Sequence, residues 1–210
     1  MVKKDKKAIV KYGESRLKAN VKVGMRGVDP ADIRPPRMLL LQKSSELSQY
    51  VDVGGVRAKV GQFFHTGKLN ISDTFQCYFV FAAKTKYTDK RKQEEGEKDQ
   101  YQAIGVMADD LSLFAMVFRS SSLYTLSPLF SVAASLSRPM YSFLCEIETK
   151  ELSGDKGTWF IPVLRIKKPE KDPGKLVLLE EKARALDLRA DNPPPINVDE
   201  VDRDLSPENY

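Results

Sequence analysis

Leu113-Phe114-Ala115-Met116-Val117-Phe118-Arg119 opens the stretch that decides the fold, which runs from Leu111 to Ile166. A continuous apolar run of this kind, bounded by Asp109-Asp110 and by Arg119, is the pattern of a buried strand. A serine-rich segment with helical spacing follows from Ser120 to Ser137, and Ser120-Ser121-Ser122 suits its N-cap. Two more strand-like runs, Met140 to Thr149 and Thr158 to Ile166, are joined by the turn Ser153-Gly154-Asp155-Lys156-Gly157. In the first of these, Tyr141, Phe143, Cys145 and Ile147 share one face and Ser142, Leu144, Glu146 and Glu148 the other. Pro162 cannot donate to a ladder, so the second run is an edge strand or carries a bulge.

Upstream, Arg34-Pro35-Pro36-Arg37 enters the body, because residues before proline are pushed toward extended conformations. Strand-like runs follow at Met38–Lys43, Val60–Thr66, Phe75–Lys84 and Tyr101–Met107, with a helical turn expected at Ser44 to Gln49 and a turn at Gly54-Gly55. Alternation places Phe75, Cys77, Phe79 and Phe81 in the core and leaves Gln76, Tyr78, Val80 and Ala82 on a half-polar face. Lys84 to Asp99 is almost pure charge and reads as a mobile loop between two strands. Strands, one helix, then a closing hairpin is the order of an OB barrel. The expected fold is therefore mainly β (α+β): an antiparallel barrel of five strands or slightly more, with one helix between strands three and four.

The ends complete the organisation. Residues 1–32 form a basic arm and residues 33–168 the OB-like core. Residues 169–192 hold an amphipathic helix, in which Leu176, Leu179, Ala183 and Leu186 make one stripe. That stripe is expected to cover the open end of the barrel; the alternative is a docking surface that would make the chain a homodimer. Residues 193–210 are an acidic tail behind Asn192-Pro193-Pro194-Pro195.

At 210 residues with 41% hydrophobic and 30% charged composition, the chain buries a core without metal or disulfide help. No apolar run approaches the roughly 18 residues needed to cross a bilayer. No apolar segment follows the lysine-rich start, so a secretory signal and a membrane partner are not expected, and the expected location is the cytoplasm. Cys77 and Cys145 lie inside apolar runs and read as buried thiols in a reducing compartment. With those two cysteines and His65 alone, no zinc site assembles, and no cofactor or metal is expected. The net charge is +5, basic in front and acidic behind, which suits a polyanion-binding body with an acidic tail.

Three blocks carry a resemblance. They are Pro36-Arg37-Met38-Leu39-Leu40-Leu41-Gln42-Lys43-Ser44-Ser45-Glu46-Leu47, Gly61-Gln62-Phe63-Phe64-His65-Thr66-Gly67, and Phe118-Arg119-Ser120-Ser121-Ser122 through Pro139-Met140-Tyr141 to Gly157-Thr158-Trp159-Phe160. Across residues 33–166 the chain resembles bacteriophage OB-fold single-stranded-DNA-binding proteins. The resemblance implies an OB core, binding of single-stranded DNA in replication or recombination, and no catalysis. The tail resembles those by which such proteins recruit replication partners, which would involve Asp199, Glu200, Asp202, Asp204, Glu208 and Tyr210. The charged Lys84–Asp99 insert departs from the pattern.

Binding unpaired strands without reading sequence needs cations along the phosphates and aromatic faces for the bases. Tyr78, Tyr87, Tyr101 and Trp159 are the stacking candidates, since each lies on a polar strand face or beside basic residues. Arg37, Lys59, Lys68, Lys84, Lys86, Arg119 and Arg165 border strands and are the phosphate candidates. Phe63, Phe79, Phe81, Phe114 and Phe118 are assigned to the core. Two other readings stand beside this one. Glu148-Thr149-Lys150 with Asp109 or Asp110 loosely imitates the carboxylate and lysine set of metal-dependent nucleases. A structural or adaptor protein of a phage or replisome is the third class.

Overall fold

The computed structural model describes residues 35–43, 52–53, 56–88, 97–155 and 157–187. The basic arm, the helical turn at Ser44 to Gln49 and the acidic tail lie outside these residues. The strands are β1 (Met38–Leu40), β2 (Asp52–Val53), β3 (Val56–Arg57), β4 (Phe63–His65), β5 (Asn70–Ser72), β6 (Thr74–Thr88), β7 (Glu97–Met107), β8 (Leu113–Arg119), β9 (Phe143–Gly154) and β10 (Gly157–Pro169). Helix α1 (Ser127–Ser135) separates β8 from β9, and α2 (Pro173–Asp187) follows β10.

The architecture is mainly β. A five-stranded antiparallel sheet has the order β10-β9-β6-β7-β8, and a three-stranded sheet has the order β1-β4-β5. Alternation along β6 sends Phe75, Cys77 and Phe79 into a core shared with Phe63, Phe114, Phe118, Phe143 and Ile147. Its rings meet edge to face, Phe63 on Phe75 at 4.9 Å and Phe75 on Phe114 at 5.4 Å between centroids. Gly105 is required here, because a Cβ at that position would stand 2.3 Å from the Phe114 ring. Cys77 and Cys145 oppose each other across β6 and β9 as free, buried thiols, and burial pushes Cys145 up to about 12.

Three expectations are corrected. A bulge between Phe79 and Phe81 reverses the alternation, so Phe81 leaves the core face and Ala82 joins it. The opposite face is not half-exposed. Tyr78, Val80, Ile104, Val106 and Leu144 form a second apolar cluster under Leu179, so α2 covers a face of the sheet rather than the end of a barrel. A sheet that is apolar on both sides needs a layer on each. The charged insert is strand at both ends, because β6 runs on to Thr88 and β7 starts at Glu97; residues 89–96 lie outside the described ones.

Polar contacts fix the start of α2. Pro173 occupies its first position, and Asp172 Oδ1 accepts the Gly174 N–H at 2.9 Å. The Tyr78 hydroxyl donates to the Glu170 carboxylate, whose other oxygen accepts the N–H groups of Lys171 and Asp172 at 2.8 and 3.0 Å. The Asp172 N–H, the Tyr78 hydroxyl and the neighbouring N–H together hold the Glu170 carboxyl down at about 2. Lys175 Nζ reaches the Ala108 carbonyl at 3.0 Å.

Strands β8 and β10 are the sheet's two edges, and among the described residues no ladder joins them. Segment β1 lies beside both. A single parallel bridge pairs Arg37 with Ala115, and the Pro36 carbonyl accepts the Ala115 N–H at 2.7 Å. At its far end Gln42 bonds Phe160 of β10. Two ribbons run past the common sheet. β6 and β7 pair on from Lys86↔Asp99 to Thr88↔Glu97, and β9 and β10 from Thr149↔Pro162 to Gly154↔Gly157.

Candidate nucleic-acid interface

Arg119 closes β8, and the chain then turns sharply. Ser120 adopts a left-handed backbone with φ 47°, and a 3-10 turn spans Ser120–Ser122. Ser122 Oγ accepts the Arg119 N–H at 2.9 Å and donates to the Arg119 carbonyl at 2.8 Å, which locks the turn. The Arg119 Nε donates to Gln100 Oε1 at 2.6 Å, and its guanidinium stands 4.2 Å from the centre of the Tyr87 ring. Gln100 passes the network on to Thr85 Oγ1 at 3.1 Å. Two residues along, Ser121 Oγ accepts the Trp159 indole N–H at 3.2 Å. One short turn therefore holds a ring on each ribbon.

Between the edges β8 and β10, with β1 alongside, lies a groove of about 410 Å³. Arg37, Arg119, Ser121, Trp159 and Phe160 line it together with the aliphatic side chains of β1. Arg37 is anchored through its main chain: its N–H donates to Thr66 Oγ1 at 2.8 Å and its carbonyl accepts the Thr66 N–H at 2.9 Å. Trp159 lies close over Gly154, where a Cβ would be 3.2 Å from the ring. Among the sequence candidates, the fold gathers Arg37, Arg119 and Trp159 at this groove and joins Tyr87 to it through Arg119.

The remaining candidates fall elsewhere. Lys84, Lys86 and Tyr101 occupy the other face of the β6–β7 ribbon, since Lys84↔Tyr101 and Lys86↔Asp99 alternate with Thr85↔Gln100 and Tyr87↔Lys98. Tyr101 is half-buried against Phe130 of α1, with ring centres 5.6 Å apart. Asp99 accepts both lysines, at 2.6 Å each, which holds its carboxyl below the usual range and raises Lys84. Lys68 is held by Asp110 at 2.9 Å and Asp109 at 3.6 Å, and the Asp110 carboxyl lies well below the ordinary carboxylate range because of that ammonium and Ser112. Arg165 pairs with Glu148 at 2.6 Å. Lys59 is exposed before β4, its N–H donated to Gln62 at 2.8 Å. Tyr78 must be struck from the stacking set. It is 1% exposed under α2, with its hydroxyl on Glu170 and its pKa raised by burial first and Glu170 second. Asp199, Glu200, Asp202, Asp204, Glu208 and Tyr210 lie outside the described residues.

Sequence reasoning passed over Tyr124, which is 73% exposed between the 3-10 turn and α1. Reading one helix over Ser120–Ser137 hid it. Pro128, near the first position of α1, was the signal that the helix starts later. Gln42 and Gln100 were also passed over, because an amide announces no role until its partners are known.

Of the residues in the nuclease-like set, Glu148 pairs with Arg165 and Asp110 with Lys68, and among the described residues no group of three His, Cys, Asp or Glu side chains is placed to hold a metal ion. His65 is 3% exposed, its Nδ1 accepts the Lys68 N–H at 3.1 Å, and burial followed by the Lys68 charge lowers its pKa. Among the described residues no helix is long and apolar enough to cross a membrane. Comparison of the chain with protein-family models, curated proteins and solved structures gave no match.

Proposed function

We propose that this chain binds single-stranded DNA without reading its sequence, through an OB-like barrel in which β1 bridges the gap between β8 and β10. Numbering β6, β7, β8, β9 and β10 from one to five gives the sheet order 5-4-1-2-3, with α1 between three and four. That is the arrangement of an OB barrel, whose ligands bind on strands two and three and the flanking loops. Here that surface corresponds to the β7–β8 face carrying Gln100 and Arg119, with a ribbon to either side.

The groove carries the reading. It combines two arginines, the Trp159 ring and small hydroxyls between the turn after β8 and the β9–β10 ribbon. Stacking supplies about 1–3 kcal/mol per base regardless of its identity, and the arginines meet phosphates. The acidic tail serves partner recruitment in replication or recombination, or competes with DNA for the groove; deleting residues 197–210 separates these by tightening DNA binding only in the second case. Fluorescence anisotropy of labelled oligothymidine against a duplex of equal length tests the proposal. The single strand should bind preferentially, with log affinity falling about 0.7 per phosphate contact against log salt; equal binding of both, or binding of neither, ends it.

A further inference from the structure

We propose that Lys84 and Lys86, beside Tyr101, form a second phosphodiester-binding subsite, and that the Asp99 carboxylate holds the place of the phosphate until DNA arrives. This deepens the single-stranded-DNA reading and rests on it.

The register sets up the subsite. Lys86 faces Asp99 directly across the ribbon and Lys84 faces Tyr101, so both ammonium groups converge on one carboxylate. Each oxygen of Asp99 takes one lysine, at 2.6 Å. Two oxygens of one anionic centre shared between two ammonium groups is also the geometry of a bridged phosphate. The ammonium-bearing side chains are 55% and 60% exposed, whereas that of Asp99 is 28% exposed, so an incoming phosphate reaches the lysines from solvent while Asp99 lies behind them.

Placement makes the subsite separate from the groove. Alternation puts Lys84 and Lys86 on the opposite face of the ribbon from Tyr87 and Arg119. A strand leaving the groove past Tyr87 must round the ribbon to meet them, so the β6–β7 ribbon is gripped on both faces and the footprint exceeds the groove. Two lysines and one aspartate leave a single net positive charge there, and DNA must displace Asp99 to use both.

Oligothymidine binding by anisotropy at low and moderate salt tests this on the full chain, with folding of each variant checked by circular dichroism. Asp99→Asn should tighten binding about two- to fivefold at low salt, the scale of an exposed ion pair, with the gain shrinking as salt rises. Glu181→Gln, the same charge change on exposed α2, should not reproduce the gain, and adding Lys84→Gln and Lys86→Gln to Asp99→Asn should abolish it. An Asp99→Asn chain that behaves like Glu181→Gln overturns the subsite while leaving the groove reading intact. A natural chain that binds no oligothymidine overturns both.

Discussion

The side-chain amide of Gln42 satisfies both main-chain groups of Phe160: its Nε2 donates to the Phe160 carbonyl at 2.6 Å and its Oε1 accepts the Phe160 N–H at 3.0 Å. An amide side chain here does what a neighbouring strand would do, at the edge of β10 that faces the groove. Two residues on, Pro162 has no N–H to offer and its carbonyl accepts the Thr125 hydroxyl at 3.0 Å. The edge is thus blocked against pairing with another sheet while the groove beside it stays open.

Replacing Gln42 by Ala strands a donor and an acceptor that are half-buried. We expect a loss of about 1–3 kcal/mol in urea unfolding, the cost of leaving such groups unmet. Gln42→Glu keeps the acceptor and loses the donor, so it should fall between the two. Size-exclusion chromatography should show added self-association of Gln42→Ala through the uncovered edge.

Ring and cation substitutions at the groove should separate cleanly. Trp159→Ala and Tyr87→Ala are each expected to lower oligothymidine affinity by about 1–3 kcal/mol with the salt slope unchanged. Arg119→Gln should weaken binding and reduce the slope by about 0.7. Lys59→Gln, which lies away from the groove, should do neither.

His65 is the chain's single histidine, buried and with a depressed pKa, so its contribution to stability has a definite sign. The unfolded chain takes up the proton near pH 6.5 while the folded one resists it. Stability is therefore full above about pH 6.5 and falls as pH drops toward the folded value, by at most about 1.4 kcal/mol per pH unit. Below about pH 4.5 a second loss follows, as Glu170, Asp99 and Glu146 leave their depressed range. Unfolding midpoints for His65→Gln should be flat between pH 5 and 7 and should retain the second loss.

Tyr78→Phe removes the hydroxyl from Glu170 and loosens the start of α2. A hydrogen bond to a charged group contributes about 1.5–3 kcal/mol, so a loss on that scale is expected in thermal or urea unfolding. Oligothymidine affinity should be unchanged, because the ring lies beneath α2 and not in the groove.

Much of the sheet was legible in the residues. The alternation of Phe75, Cys77 and Phe79, the apolar run Leu113 to Phe118 and the Pro162 edge signal all describe strands whose period matches their burial. The second face was not, because Tyr78 and Val80 are ambiguous until α2 is known to lie over them. A bulge at Phe79/Phe81 is equally silent, since one extra residue changes the face without changing composition. At the candidate site Arg119 and Trp159 were nominated for being a cation and a ring next to strands, and they meet because a three-residue turn happens to reach both ribbons. Charge alone did not show that Lys68 and Arg165 are ion-paired. Their carboxylate partners lie 41 or 42 and 17 residues away in sequence and become neighbours only across the folded strands.

The most direct test of the central claim uses the chain's single tryptophan, which lies in the groove. Oligothymidine titrated into the full chain at low salt should quench Trp159 fluorescence to saturation and release it as salt is raised, while duplex of equal length leaves the signal nearly unchanged. A single strand that binds without altering Trp159 emission, or a duplex that quenches it equally, would contradict the account.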